Sequence, residues 1–386
     1  VRICLVYDCL FPYTVGGAER WYRNLAERLV AEGHEVTYLT LRQWDRGAKL
    51  DLDPRVRVVE AGPRMALYAN GRRRILPPVV FGAGVFRHLL RHGRRYDVVH
   101  TCSFPYFALL AAAALRALMR FDLAVDWFEV WSSDYWRDYL GGLGGRVGAA
   151  VQRLCATVPQ RAFCFSRLHA ERLRAVGLRG EITLLGGLYA PAGEPVPARA
   201  ADPLVLFAGR LIPEKRVALG VAAVALAAER IEGLRGVFYG DGPDRPALER
   251  AIAEHGAAQV IDAPGFVDGA LVEADMSRAL CMLLPSRREG YGMVVVEASA
   301  HATPSVVVLA EDNAATELVE DGVNGVIAPV GEPAAVADAI VRVHQAGMAM
   351  RESTARWYLE HAAELSIEAS LTVVLDGYRS GAPVGR

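Results

Sequence analysis

The chain holds 386 residues, 52% of them hydrophobic and 23% charged, a balance that excludes a disordered protein and fits a folded α/β one. That length exceeds one ordinary core and predicts two domains. A net charge of −1 conceals an asymmetry. Residues 1–190 carry 27 basic against 17 acidic side chains and the remainder 16 against 27, so opposite signs favour closure of two lobes, and the basic lobe draws anionic partners.

In chain order, the opening Val-Arg-Ile-Cys-Leu-Val reads as a buried strand over 2–7. It is not expected to be a signal peptide, whose apolar region is longer and ends in small residues. A helix over 18–32 follows, with Trp21, Leu25 and Leu29 at helical spacing and Gly33 as its stop. Short apolar or β-branched runs predict strands over 35–40, 56–60, 98–100, 123–126, 162–165 and 182–185. The basic residues are densest from Arg64 to Arg95, where Arg72, Arg73, Arg74, Arg87, Arg91, Arg94 and Arg95 stand without one acidic neighbour. Such a stretch is either a solvated helix face or a contact for anionic lipid headgroups or an anionic acceptor. Nucleic acid is not expected, because no binding motif accompanies the arginines. The apolar run over 108–115 stops at Arg116, well short of the roughly 20 residues of a membrane span.

Residues 190–203 are rich in proline and alanine and lack periodicity, the composition of a semi-rigid linker. Beyond them, strands are predicted over 204–208, 236–239, 260–263, 281–284, 305–308 and 325–328, with helical segments from about 334 onward. Strands alternating with helices predict parallel sheets with crossover helices, here two doubly wound domains facing a cleft. The expected division is a first domain over 1–190, a linker over 191–203 and a second domain over 204–365. A helix and tail over 366–386 could cross back to the first domain. Ligands of such sheets bind at the carboxyl ends of the strands.

The six cysteines (Cys4, Cys9, Cys102, Cys155, Cys164, Cys281) form no C-x-x-C pair and read as reduced, mostly buried thiols of a cytoplasmic protein. Asp51-Leu-Asp53 matches a metal-holding D-x-D, but it precedes Pro54 away from other ligands and reads as a solvated turn.

Four loops carry candidate chemistry. Gly16 and Gly17, between the first strand and helix, let the backbone approach an anion at a helix N-terminus, although a tight turn would use the same residues. Phe207-Ala-Gly-Arg-Leu-Ile-Pro-Glu-Lys-Arg216 sets Arg210 and Lys215 at the end of a strand. Only Lys49 and Lys215 are lysines among 43 basic residues, which marks Lys215 for a compact ammonium's task such as contacting a diphosphate. Gly240-Asp-Gly-Pro243 signals a turn, and Phe266 and Val267 follow a strand where backbone groups could edge a planar base. In Glu289-Gly-Tyr-Gly-Met-Val-Val-Val-Glu297, Glu289 stands on the loop and Glu297 about one turn inside the next helix. Gly290, Tyr291 and Gly292 lie between them, and the N–H groups of Gly292, Met293 and Val294 point toward an anion. A carboxylate on an otherwise apolar helix needs a partner, and ribose hydroxyls suit Glu297, leaving Glu289 for sugar hydroxyls.

These elements, in this order, resemble the retaining, GT-B-fold glycosyltransferases of family 4, also called group 1, over essentially the whole chain. The G-R-L-x-x-E-K and E-x7-E patterns of the second half carry the resemblance best. It implies a metal-independent transfer from a nucleoside-diphosphate sugar to a hydroxyl acceptor (glycan, lipid or natural product), with no cofactor. It also implies that Arg210 and Lys215 bind the diphosphate, Glu289 the sugar and Glu297 the ribose. Gly16 and Gly17 then border the phosphates and acceptor. The expected enzyme is cytoplasmic, and its basic stretch could rest on the inner face of the membrane.

One position departs from the family. Where many members carry a histidine near the sugar C6 hydroxyl, this chain has Phe128, or Glu129 if the register slips by one. An apolar pocket there would favour a 6-deoxysugar or pentose over a hexose. His100 matches the first place of a frequent H-x-H pair and is read chiefly as structural; Trp131 opens an aromatic segment that is either an acceptor platform or an amphipathic helix. An epimerase or phosphorylase of the same architecture, or a sugar-nucleotide-binding protein without turnover, are the rival readings.

Overall fold

The computed structural model describes residues 1–69, 72–189 and 196–379. Residues 191–195 of the expected linker and 380–386 of the expected tail lie outside the described residues. The chain divides into two compact units, one made of Val1–Leu188 with the segment from Ile367, the other of Tyr189–Ser366.

Unit 1 runs β1 (Arg2–Val6), α1 (Gly17–Ala31), β2 (Glu35–Leu41), β3 (Arg57–Gly62), α2 (Leu76–His92), β4 (Val98–Cys102), α3 (Tyr106–Met119), β5 (Asp122–Trp127), α4 (Ser133–Thr157), β6 (Arg161–Cys164), α5 (Arg167–Ala175) and β7 (Ile182–Leu184). Its main sheet has seven parallel strands in the order β3-β2-β1-β4-β5-β6-β7. In β1, Ile3, Cys4, Leu5 and Val6 are all buried. Continuous apolar runs of this kind are what a parallel sheet covered on both faces requires. The strand order reverses between β1 and β4, so the loops at their carboxyl ends diverge and leave a crevice for ligands.

Unit 2 repeats the plan with β8 (Leu204–Ala208), α6 (Val217–Ala228), β9 (Arg235–Tyr239), α7 (Arg245–Glu254), β10 (Ile261–Gly265), α8 (Gly269–Arg278), β11 (Cys281–Leu284), α9 (Met293–Ala300), β12 (Ser305–Val308), β13 (Gly325–Ala328) and α10 (Pro333–Leu365). The parallel order is β10-β9-β8-β11-β12-β13. Its switch lies between β8 and β11, which makes neighbours of the loops that follow them. Helix α6, Val-Ala-Leu-Gly-Val-Ala-Ala-Val-Ala-Leu-Ala-Ala, is apolar nearly all round and sits in the unit's core beside α10. A helix without a polar face has no stable place at the surface.

The last helix, α11 (Ile367–Arg379), belongs to unit 1 and packs on α1. It buries Ile367, Leu371, Val374, Leu375 and Tyr378, a stripe at helical spacing. The division thus falls at Leu188 and Tyr189, two residues before the boundary read from composition, and again at Ser366 and Ile367. Each strand expected from the sequence forms, with ends moved by at most two residues. Bends inside α4 at Gly141 and inside α10 at Gly347 were not foreseen.

Candidate active site

In unit 2 the loops after β8 and β11 are joined by two reciprocal ion pairs. Lys215 Nζ lies 2.5 Å from Glu289 Oε1, with the side chains 19% and 11% exposed. One residue earlier on each loop, Arg288 Nη2 lies 3.7 Å from Glu214 Oε1. The Arg287 amide donates to the Glu214 carbonyl at 2.9 Å, so backbone and side chains hold the two loops in one register. Arg210, at the start of the same β8 loop, is exposed. A cation, a second cation and a carboxylate therefore stand at the carboxyl edge of this sheet, where an anionic ligand is expected.

The β8 loop is set from the other side by the turn after β9. Leu211 donates its amide to the Asp241 carbonyl at 3.0 Å, and Gly209 donates to Tyr239 at 3.1 Å. Gly240 holds φ at 124°, and a Cβ there would lie 1.9 Å from the Gly209 carbonyl oxygen. Only glycine lets these two chains meet so closely. Gly240-Asp-Gly-Pro243, silent as a sequence turn, thus positions the loop that bears Arg210.

The loop after β11 ends at Gly292, which caps α9 at φ 100°. A Cβ on it would meet the Ala315 Cβ at 2.5 Å. This left-handed residue turns the chain into α9, whose first amides, at Met293 and Val294, lack helical carbonyl partners and carry the positive end of the helix dipole. Gly290 is half-buried and Tyr291 buried, whereas Glu297 is half-buried on α9 among buried Val295, Val296 and Ala298. The charge of Glu297 reaches Tyr189, whose phenol is pushed up by burial first and by that carboxylate among others. Asn313, 1% exposed, gave no sequence signal, yet its amide donates to the Ser286 and Val308 carbonyls at 3.2 and 2.8 Å. Arg288–Glu289 also pairs with Asp312–Asn313 as a two-residue parallel ladder. Glu214, Arg288 and Asn313 are the supporting residues that sequence reasoning missed; the first two stood inside or beside its motifs without a role.

At the end of β10, Phe266 is 75% exposed, while Val267 packs against a small apolar cluster. An aromatic face left in water at this edge of the sheet can accept a planar ring.

In unit 1, Gly16 is extended (φ 179°) and caps α1, which begins at Gly17. The Glu19 carboxylate folds back there: a Cβ on Gly16 would lie 2.4 Å from Glu19 Oε2. The N-terminus of α1 therefore already faces a carboxylate of its own first turn. At the end of β5, Phe128 stacks on Phe165 with centroids 4.4 Å apart and planes 4° apart. Trp131 Nε1 donates to Glu129 Oε2 at 2.7 Å, and its ring is surrounded by Phe104, Tyr135, Trp136 and Tyr139 at 4.6 to 5.6 Å. Those contacts use much of the ring surface that an acceptor platform would offer. His100, read chiefly as structural, is 0% exposed. Its Nε2 lies 2.8 Å from Asp126 Oδ1 and its Nδ1 2.5 Å from the Tyr378 hydroxyl. Trp21 Nε1 donates to the other Asp126 oxygen at 2.8 Å, which makes His100 part of a buried network. Asp51 and Asp53 are paired with Arg23 and Arg55, and the Arg55 hydrogen bonds lower Asp53 to about 2. All six cysteines are buried, and none forms a disulfide among the described residues.

Residues 202–346 match the family model for glycosyl transferases group 1, and residues 16–186 the one for a glycosyl transferase 4-like domain. A D-inositol 3-phosphate glycosyltransferase from Kribbella flavida is 30% identical over 394 residues, spanning 95% of this chain and 91% of that one. The chain belongs to the group 1 glycosyltransferases. An alpha-D-kanosaminyltransferase from Streptomyces kanamyceticus is 33% identical to this glycosyltransferase over 141 residues, 36% of each chain. Among solved structures, sucrose-phosphate synthase from Thermosynechococcus elongatus superposes with a TM-score of 0.80 at 20% identity, covering 98% of both chains. HepE from Anabaena, in complex with UDP-glucose, gives 0.71 at 16% identity over 98% and 99%. These likenesses identify the two-sheet fold of the glycosyltransferase as GT-B.

Proposed function

We propose that this glycosyltransferase moves a hexosyl, deoxysugar or pentosyl group from a nucleoside-diphosphate sugar to a hydroxyl of a glycan, lipid or natural product. It does so with retention at the anomeric carbon, without a metal or cofactor, in the cytoplasm. The observation that carries the reading is the pair of reciprocal ion contacts that brings Lys215 beside Glu289 near the N-terminus of α9. UDP-glucose in the HepE complex supports a nucleotide-sugar donor and makes a uridine diphosphate sugar the first to try.

In this reading Arg210, Lys215 and the first amides of α9 take the diphosphate. Glu297 takes the ribose hydroxyls, Phe266 and Val267 border the base, and Glu289 takes sugar hydroxyls. Gly16 and Gly17 border the phosphates and acceptor. The bond from the anomeric carbon to the phosphate oxygen breaks while the bond to the acceptor oxygen forms on the same face. The acceptor proton passes to the departing phosphate. Positive charge grows on the sugar and negative charge on the diphosphate, so fixed cations aimed at the leaving group favour the transition state over the ground state.

Lys215→Ala tests this directly. It should lower kcat by about 100-fold or more, the usual cost of removing one charge-stabilising donor, with little change in melting temperature. A folded variant of undiminished rate overturns the assignment. Proton NMR of the fresh product reads the anomeric configuration, and turnover in excess EDTA reads the metal requirement. Inversion, or loss of activity restored by a divalent ion, would each reject that part of the proposal.

A further inference from the structure

Three helices behind one face of the unit 1 sheet are nearly without carboxylates. Helix α2 links β3 to β4, α3 links β4 to β5 and α4 links β5 to β6. All three advance in the same direction across the sheet, as does α5 with its Glu171, so right-handed crossovers place them on the same face. Helix α2 packs on α3, and α3 on α4. Neither α2, nor α3, nor α4 beyond its bend at Gly141 contains aspartate or glutamate, whereas α1, on the opposite face, contains Glu19 and Glu27.

The outward sides of these helices are apolar. On α2, Leu76, Val79, Ala83, Phe86 and Leu90 recur at intervals of three and four residues and are exposed, Leu76 by 54% and Leu90 by 49%. Helix α3 exposes Phe107, Ala114 and Leu118, and α4 exposes Leu143, Val147 and Leu154, with Leu143 79% in solvent. Beside these stripes Arg87, Arg91, Arg94, Arg120, Arg146 and Arg153 are exposed. None of the six is paired with a carboxylate among the described residues. The side chains of Arg72 and Arg73, from the same basic stretch, lie outside the described residues.

We infer that this three-helix face docks on an anionic lipid bilayer. Apolar side chains at helical spacing enter the boundary between headgroups and acyl chains, and arginines on flexible stems reach the lipid phosphates. A second copy of the chain, meeting the face by two-fold symmetry, would set unpaired arginines against one another. A nucleic acid would satisfy the arginines and leave the leucines uncovered. An anionic bilayer satisfies both. The inference rests on unit 1 alone and is independent of the donor chemistry.

The test is flotation of the full chain with vesicles of phosphatidylcholine alone, or of equal parts phosphatidylcholine and phosphatidylglycerol, at low and high salt. Partition into the anionic vesicles should be about tenfold stronger at low salt and should fall as salt screens the arginines. Arg87→Glu with Arg91→Glu should abolish the preference. Leu143→Gln with Val147→Gln, at exposed positions that leave the core intact, should weaken binding about fivefold; circular dichroism checks the fold of each variant. Equal partition into both vesicles, no binding to either, or charge-reversed protein that floats like the parent would overturn the inference. So would a lipid-independent dimer that those substitutions disrupt.

Discussion

Lys215 Nζ sits 2.5 Å from Glu289 Oε1, so a diphosphate arriving there must compete with a carboxylate already in place. In the proposed reading the ammonium turns to the phosphates and the carboxylate to sugar hydroxyls, while Arg288 stays beside Glu214. Phe128 allows a sharper test of sugar choice. Its ring is held flat on Phe165 and offers no hydrogen bond to a C6 hydroxyl. Phe128→His should raise the kcat/KM ratio of hexose over 6-deoxysugar donors by about tenfold in a competition assay, and an unchanged ratio removes Phe128 from the sugar-reading role. His88 offers a test of stability. Burial first, then the charge of His92, holds its ring down to about 4. Between pH 6.5 and 4 the unfolded chain binds a proton that the folded ring refuses, so stability falls as pH falls through that window. For a ring this exposed the loss is about 1–2 kcal/mol after screening. Urea unfolding at pH 7 and pH 4.5 reads it, and His88→Gln should shrink the difference.

Elements explain why some of this was legible and some was not. Parallel strands buried on both faces must be continuous apolar runs, so Ile3–Val6 and Cys281–Leu284 announce themselves in sequence. The E-x7-E spacing was readable because a glycine-led turn and the first helical turn after it are local. Asn313 was not, because its partners Ser286 and Val308 lie 27 and 5 residues away and only folding brings them together. The partner of His100 was hidden for a related reason: the histidine's position in the chain matched a family pattern, while its hydroxyl partner stands 278 residues later. The turn into α9 gives the element-scale prediction. Gly292→Ala places a Cβ at φ 100°, at a cost of about 1–2 kcal/mol for the left-handed conformation, and drives it against Ala315. It should weaken nucleotide-sugar binding, measured by calorimetry, more than it lowers the melting temperature. A variant that binds as the parent does would show that the α9 amides do not hold the ligand.

For the molecule as a whole, the return of α11 to unit 1 makes the first half depend on the last residues. Tyr378→Phe removes the hydroxyl that meets His100 and should cost about 1–2 kcal/mol in urea unfolding. Ending the chain at Ser366 should do far more, since Leu371, Val374 and Leu375 leave the core with it. The expected sign is aggregation or early proteolysis of unit 1, with unit 2 surviving as the resistant fragment.

The same return has a consequence for synthesis. A ribosome delivers β1 through β7 first, yet α1 waits for its covering helix until all of unit 2 has emerged. Unit 2 is continuous, from Tyr189 to Ser366, and can complete itself during translation. The half made first is the half finished last, and during that interval the apolar side of α1 is a natural place for a chaperone to hold the nascent chain.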